Sequence, residues 1–185
     1  KLEVEDRENV AKNDRYFGYK LKNIELENEE ITEVPEKVND KAVIRIYYTI
    51  DEEQTKEINY TVEYYREKAN SEEKEIEKVE EDTQIEGKTV QVLEEEILSV
   101  NKDKINIEDK YYGYKLQKIE IVETSEENTE EVKNVGTSLP NEVKHNSRIR
   151  VYYIIDEEQT KELKYTVEYY KDGEKQEKDT QTEKT

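Results

Sequence analysis

The chain has 185 residues, with 30 basic and 49 acidic side chains and a net charge of −19. So large an acidic surplus repels a phosphate backbone and an anionic leaflet, which excludes nucleic acid and direct membrane insertion. Cysteine and methionine are both absent; there is no disulfide or thiolate metal site to consider, and the chain is expected to be an interior portion of a longer protein.

Only 32% of residues are apolar, a level that leans toward disorder, but 15 are tyrosine against one phenylalanine. A large ring with a polar tip can cover a thin core. The first patterned stretch is RYFGYKLKNIEL, from Arg15. Gly18 suits a positive φ or a close backbone approach. After it, Tyr19 and Leu21 keep a two-residue phase, then Ile24 and Leu26 shift by one, which predicts a β-bulge. In the next run, Ile44, Ile46, Tyr48 and Ile50 face one way and Arg45, Tyr47 and Thr49 the other, as in a strand. In YTVEYY, Tyr60, Val62 and Tyr64 share a face. The polar stretch REKANSEEKEIEKVEE reads as a loop, and VQVLEEEILSV (Val90–Val100) as a strand followed by a short helical turn. KYYGYKLQKIEI, from Lys110, brings Gly113 and the same phase shift through Tyr114, Leu116, Ile119 and Ile121. VETSEENTEEVKNVGTS reads as a second loop. Ile149, Val151, Tyr153 and Ile155 then alternate, as do Tyr165, Val167 and Tyr169. Few stretches hold a 3.6-residue period, so the fold is expected to be mainly β, with at most one short helix per module.

These stretches are two copies of one pattern. RYFGYKLKNIEL and KYYGYKLQKIEI lie 95 residues apart, AVIRIYYTIDEEQTKEINYTVEYY and SRIRVYYIIDEEQTKELKYTVEYY 105 apart, and DTQIE and DTQTE 97 apart. A period near 100 indicates a domain array, not a solenoid.

The order KYTVEYYKDG…DTQTE, KTVQV, YYGYKL, SRIRVYY resembles the mucin-binding-protein (MucBP) type repeat of Gram-positive surface proteins. The resemblance covers nearly the whole chain, in fragments. One departure is the first turn, which keeps its glycine at Gly173 but has none in REKANSEE. The resemblance implies small β-grasp-like modules in an elongated tandem array, a cell-wall-attached extracellular location, and a non-enzymatic role as stalk or spacer with adhesion to host mucin or glycan. It also implies a module at 59–156 flanked by partial modules at 1–52 and 164–185. A second frame, 1–86 and 87–185, counts two complete units and is the one preferred for an isolated chain. In that frame DEEQTKE is a hairpin loop; in the other it links modules. Expected partners are adjacent repeats and host glycan or mucin. The chain is expected to be monomeric, with strand exchange between molecules as the route to association.

No cofactor or metal site is expected. The acidic runs (LENEE, SEEKEIEKVEED, LEEE, TSEENTEE) lack the alternating ligands and central glycine of a calcium loop and read as solvated charge, a calcium-rigidified linker being the alternative. His145, the single histidine, reads as a surface turn residue, and Ser147 beside it makes no nucleophile motif. The candidate ligand-binding residues are Tyr47, Tyr65, Arg148, Arg150, Tyr152 and Tyr170, which point away from the core face. A Tyr and Arg strand face can stack on sugar rings and donate forked hydrogen bonds, so a dedicated carbohydrate-binding module is the alternative function.

Overall fold

A computed structural model describes residues 1–125, 127–177 and 181–184. Glu126 of the second acidic stretch, and Asp179 and Thr180 of the DTQTE block, lie outside the described residues. The N-terminal part contains β1 (Leu2–Glu3), a four-residue helix α1 (Arg7–Val10), β2 (Tyr19–Leu26), β3 (Glu29–Ile31), β4 (Lys37–Val38) and β5 (Ile44–Ile50). β1 pairs with β4, and β2 lies between β3 and β5, all antiparallel.

The largest sheet is built next, from β6 (Thr55–Glu67), β7 (Ile76–Lys78), β8 (Gln84–Gln91), β10 (Tyr114–Thr124), β11 (Glu130–Gly136) and β13 (Arg148–Ile155). A small pair, β9 (Ile97–Ser99) and β12 (Glu142–Lys144), accompanies it. Its order is β11-β10-β13-β6, with β7 and β8 sharing the far side of β6. β6 and β13 run parallel, in the register Thr61↔Arg148 to Arg66↔Tyr153. The C-terminal part holds β14 (Lys164–Val167) paired with β17 (Gln181–Lys184), and β15 (Tyr170–Lys171) paired with β16 (Glu174–Lys175). The protein is mainly β, as its two-residue period predicts.

That period also dictates the core. Ile58, Tyr60, Val62 and Tyr64 of β6 and Ile149, Val151 and Tyr153 of β13 are all buried, packed against Ile119 and Ile121 of β10. Each is one step of two along its strand, so one face of the pleat supplies every side chain. The expected bulge is present in both copies, where pairing slips between Leu21 and Asn23 and between Leu116 and Lys118. Gly18 and Gly113 have φ of +78° and +83°, a region that penalises any Cβ.

Several expectations need correction. The two stretches read as loops each contain a strand, β7 in the first and β11 in the second. β11 is an outer strand whose exposed Glu and Lys side chains suit an edge that must not recruit another sheet. Charge hid it, because an edge strand need not be apolar. After β8, residues 92–94 form a turn and β9 follows, so Val90–Val100 has no helix. The boundary at 86/87 falls inside β8, whose pairing with β6 continues on both sides of it. The DEEQT residues join β5 to β6, which belong to different sheets, so they form a connection and not a hairpin.

Candidate functional site

The parallel joint between β6 and β13 gathers three of the six candidate residues. Tyr65 and Tyr152 are register partners, and their rings stack with centroids 4.9 Å apart and planes 20° apart. The Arg150 guanidinium lies 5.9 Å from the Tyr65 centroid, and the Lys118 ammonium 4.7 Å from that of Tyr152. Below them Glu63, 7% exposed, accepts from Arg150 Nε at 3.2 Å and from the Tyr65 hydroxyl at 3.2 Å, and pairs with Lys78 at 3.1 Å. Burial alone pushes the Glu63 carboxyl up. Lys78 and Arg150 outweigh it and hold the group below the usual carboxylate range. Tyr152 is pushed up to about 12, first by burial and then by its hydrogen bond to Glu120.

The other three residues lie elsewhere or have other partners. Arg148 is engaged by Glu130 of β11. Tyr47 is on β5, in a different sheet, and donates to Glu25 at 3.1 Å. Tyr170 is on β15 and donates to Glu168 at 2.8 Å. The six therefore do not make one binding face. Sequence reasoning did not pick out Glu63, Lys78, Lys118 or Glu120. The available signal was phase: Lys118 and Glu120 alternate with buried Ile119 and Ile121, so they share a face with Arg150 across the β10–β13 ladder.

His145 is half-buried, not a free surface residue. Its Nδ1 accepts the Asn59 amide at 2.9 Å, so the ring brackets β6. Ser147 is buried and its hydroxyl does not meet that ring. Among the described residues no three acidic or histidine side chains converge as a metal site would require.

A second constellation sits where β5 leads into β6. The Asp51 amide donates to the Gly18 carbonyl at 2.9 Å, and the Gly18 amide donates to Gln54 Oε1 at 3.3 Å. Gln54 Nε2 donates to Asp51 at 2.9 Å, and Lys20 pairs with Asp51 at 3.4 Å. Hydrogen bonds from Gln54 and its neighbours hold the Asp51 carboxyl below its ordinary range. The set recurs after β13. Asp156 N–H donates to Gly113 O at 2.9 Å and Gly113 N–H to Gln159 Oε1 at 3.3 Å. Gln159 Nε2 reaches Asp156 at 3.1 Å, and Lys115 pairs with it at 3.4 Å. At the first joint the following sheet also engages. Gln91 Nε2 donates to the Asp51 carbonyl at 3.4 Å, Val92 N–H donates to the Gln54 carbonyl at 2.9 Å, and Leu93 sits where a Gly18 Cβ would come within 2.6 Å of it. The signal for this site was the identical IDEEQTKE phrase, within which the sequence offers DEEQTKE only as a hairpin loop or a link between modules.

Comparison with family models, with characterised proteins and with solved structures gives no match to this chain.

Proposed function

We propose that the chain is a non-enzymatic repeat region of a bacterial cell-surface protein, exported and wall-attached, that acts as a stalk and contributes to adhesion to host mucin or glycan. The observation that carries this reading is the recurrence of one joint. Gly18, Lys20, Asp51 and Gln54 at the start of the large sheet match Gly113, Lys115, Asp156 and Gln159 at its end, bond for bond. A connection between modules is free to bend by default. Here the connecting residues are instead hydrogen-bonded back to the sheet they leave, and at the first joint also to the sheet they enter. What recurs is the turn tied back to the sheet it leaves, made by residues kept identical between copies, and where that turn is also fastened to the next sheet, as at the first joint, it gives the stiffness a spacer needs. The likeness to MucBP-type repeats supports the surface location and the adhesive role.

The protein has no cysteine, so paired labels are easily introduced. Spin labels at Lys22→Cys and Lys133→Cys, both exposed sites on either side of the joint, report on it by double electron–electron resonance. The spacer reading expects one narrow distance distribution that broadens in Gln54→Ala. A broad distribution in the unaltered sequence overturns it. The carbohydrate-binding alternative rests on the Tyr65 and Tyr152 pair. Those rings are half-buried and stacked on each other under Arg150 and Lys118, which leaves less open ring face for a sugar than an unpaired tyrosine offers.

A further inference from the structure

Two glutamates on β6 are equally buried and differently partnered. Glu63 and Glu67 are each 7% exposed. Alternation along the strand puts Glu63, Tyr65 and Glu67 on one face, and the parallel register sets Arg150 opposite Glu63 and Tyr152 opposite Tyr65. Glu63 meets two cations, Arg150 at 3.2 Å and Lys78 at 3.1 Å. Continuing that register by two residues brings Ile154 to Glu67, whose partner on β7 is Ile76. Where Glu63 has a cation on each side, Glu67 has an isoleucine. It accepts a hydrogen bond from the Ile155 N–H at 3.3 Å, and among the described residues it makes no ion pair.

Glu67 lines a hollow of about 460 Å³ whose walls include Lys74, Ile76, Lys115, Ile154 and Ile155. All of these belong to the large sheet or to the loop between β6 and β7. Ile76 is exposed, and Ile154 and Ile155 are half-buried. Neither lysine neutralises Glu67. Lys115 pairs with Asp156 at 3.4 Å, and Lys74 makes no ion pair among the described residues. A buried carboxylate without a counter-charge is unfavourable, and a cation relieves it. The apolar walls require that the cation arrive on an aliphatic stem.

We infer that this hollow takes a lysine side chain of a polypeptide partner, with the ammonium on Glu67 and the methylene stem against Ile76, Ile154 and Ile155. Lysine fits better than arginine. One carboxylate between aliphatic walls suits a compact ammonium, whose remaining N–H groups face the open mouth, whereas a guanidinium brings five donors in a fixed fork. Long-range charge favours the same partner, since a net charge of −19 attracts a lysine-bearing chain and repels an acidic one. Glu67 is already held by the Ile155 amide, so docking orders little on this side. The inference stands apart from the stalk and mucin reading, which makes no use of a cation site.

Titration of the nitrogen-15-labelled 185-residue chain with Nα-acetyl-lysine methylamide, at constant ionic strength and followed by amide chemical shifts, tests it. Saturable shifts are expected at Ile76, Ile154 and Ile155, with a dissociation constant of about 1–10 mM, the range open to a single side chain. The norleucine analogue, with the same stem and no charge, is expected to produce none. Glu67→Gln keeps an acceptor for the Ile155 amide and removes the charge, and is expected to weaken binding at least about tenfold. Ile154→Lys sets a lysine beside Glu67 as Arg150 sits beside Glu63, fills the place from within, and is expected to abolish the shifts. Unchanged spectra away from the hollow show that each variant keeps the fold. Absence of saturable shifts in the unaltered chain overturns the inference, as does equal binding of the norleucine analogue or undiminished binding in either variant.

Discussion

Tyr65 of β6 and Tyr152 of β13 stack 4.9 Å apart across the one parallel joint of the large sheet, although 87 residues separate them along the chain. Arg150 beside Tyr152 reaches the buried Glu63 two residues before Tyr65, so the strand that opens the sheet is tied to the strand that closes it. Hydrogen bonds and ring contacts here act on a pairing with a large loop-closure cost.

The Glu63 cluster predicts acid lability. Its carboxyl titrates lower in the folded protein than in the unfolded chain. The unfolded state therefore binds the proton more readily, and the stabilisation is present above about pH 4.5 and lost as pH falls through the folded value. Glu63→Gln is expected to cost about 2 kcal/mol at neutral pH, because Lys78 and Arg150 lose their partner. Its melting temperature is expected to fall less than that of the unaltered protein between neutral and acid pH. Calorimetry across that range checks both.

Two buried tyrosines are expected to respond oppositely to loss of the hydroxyl. Tyr153 donates to the Ile107 carbonyl at 2.9 Å, whereas the Tyr64 hydroxyl is buried without a hydrogen-bond partner among the described residues. Tyr153→Phe should cost about 1 kcal/mol and Tyr64→Phe less than about 0.5, or stabilise. Burial pushes the Tyr64 hydroxyl up to about 12. The folded state thus keeps a proton that the unfolded chain releases near pH 10, and stability declines from there toward about pH 12. Urea midpoints at neutral pH separate the two variants, and midpoints of the unaltered protein at alkaline pH check the decline, to which Tyr153, also pushed up by burial, contributes in the same direction.

Gly18 and Gly113 share a backbone conformation but not a neighbourhood. A Cβ at Gly18 meets Leu93, while one at Gly113 meets nothing within 4 Å. Alanine at either site carries about 1–2 kcal/mol of left-handed strain. Gly18→Ala is expected, in addition, to push Leu93 away and broaden the spin-label distances across the first joint. Gly113→Ala should lower stability and leave those distances unchanged.

His145→Ala is expected to destabilise by about 1–2 kcal/mol, because the Asn59 amide loses its Nδ1 acceptor in a half-buried position. A denaturant midpoint that falls with an unchanged slope is the expected signature.

Calcium is expected to leave the melting temperature unchanged when compared with chelator at matched ionic strength. Among the described residues the carboxylates are spread along strand edges and turns and do not converge. On a glycan and mucin array, saturable binding lost in Tyr152→Ala and Arg150→Ala is the outcome that favours the carbohydrate-binding alternative.

The sequence by itself determined what alternation can carry. It showed that Tyr60, Val62 and Tyr64 share one face of their strand and Ile149, Val151, Tyr153 and Ile155 one face of theirs, that a bulge follows Leu21 and Leu116, and that two copies of one pattern are present. It separated Arg150 and Tyr152 from the core, but it grouped them with Tyr47 and Tyr170, which lie in other sheets. Only the tertiary structure decided which strand lies beside which, that charged Glu130–Gly136 pairs as an outer strand, and that IDEEQT fastens one sheet to the next. The reason is that side-chain period reports which face meets water, whereas every backbone offers the same donors and acceptors along its edge. The choice of neighbour depends on contacts such as Tyr65 with Tyr152 and Arg150 with Glu63, which exist only once distant strands have met.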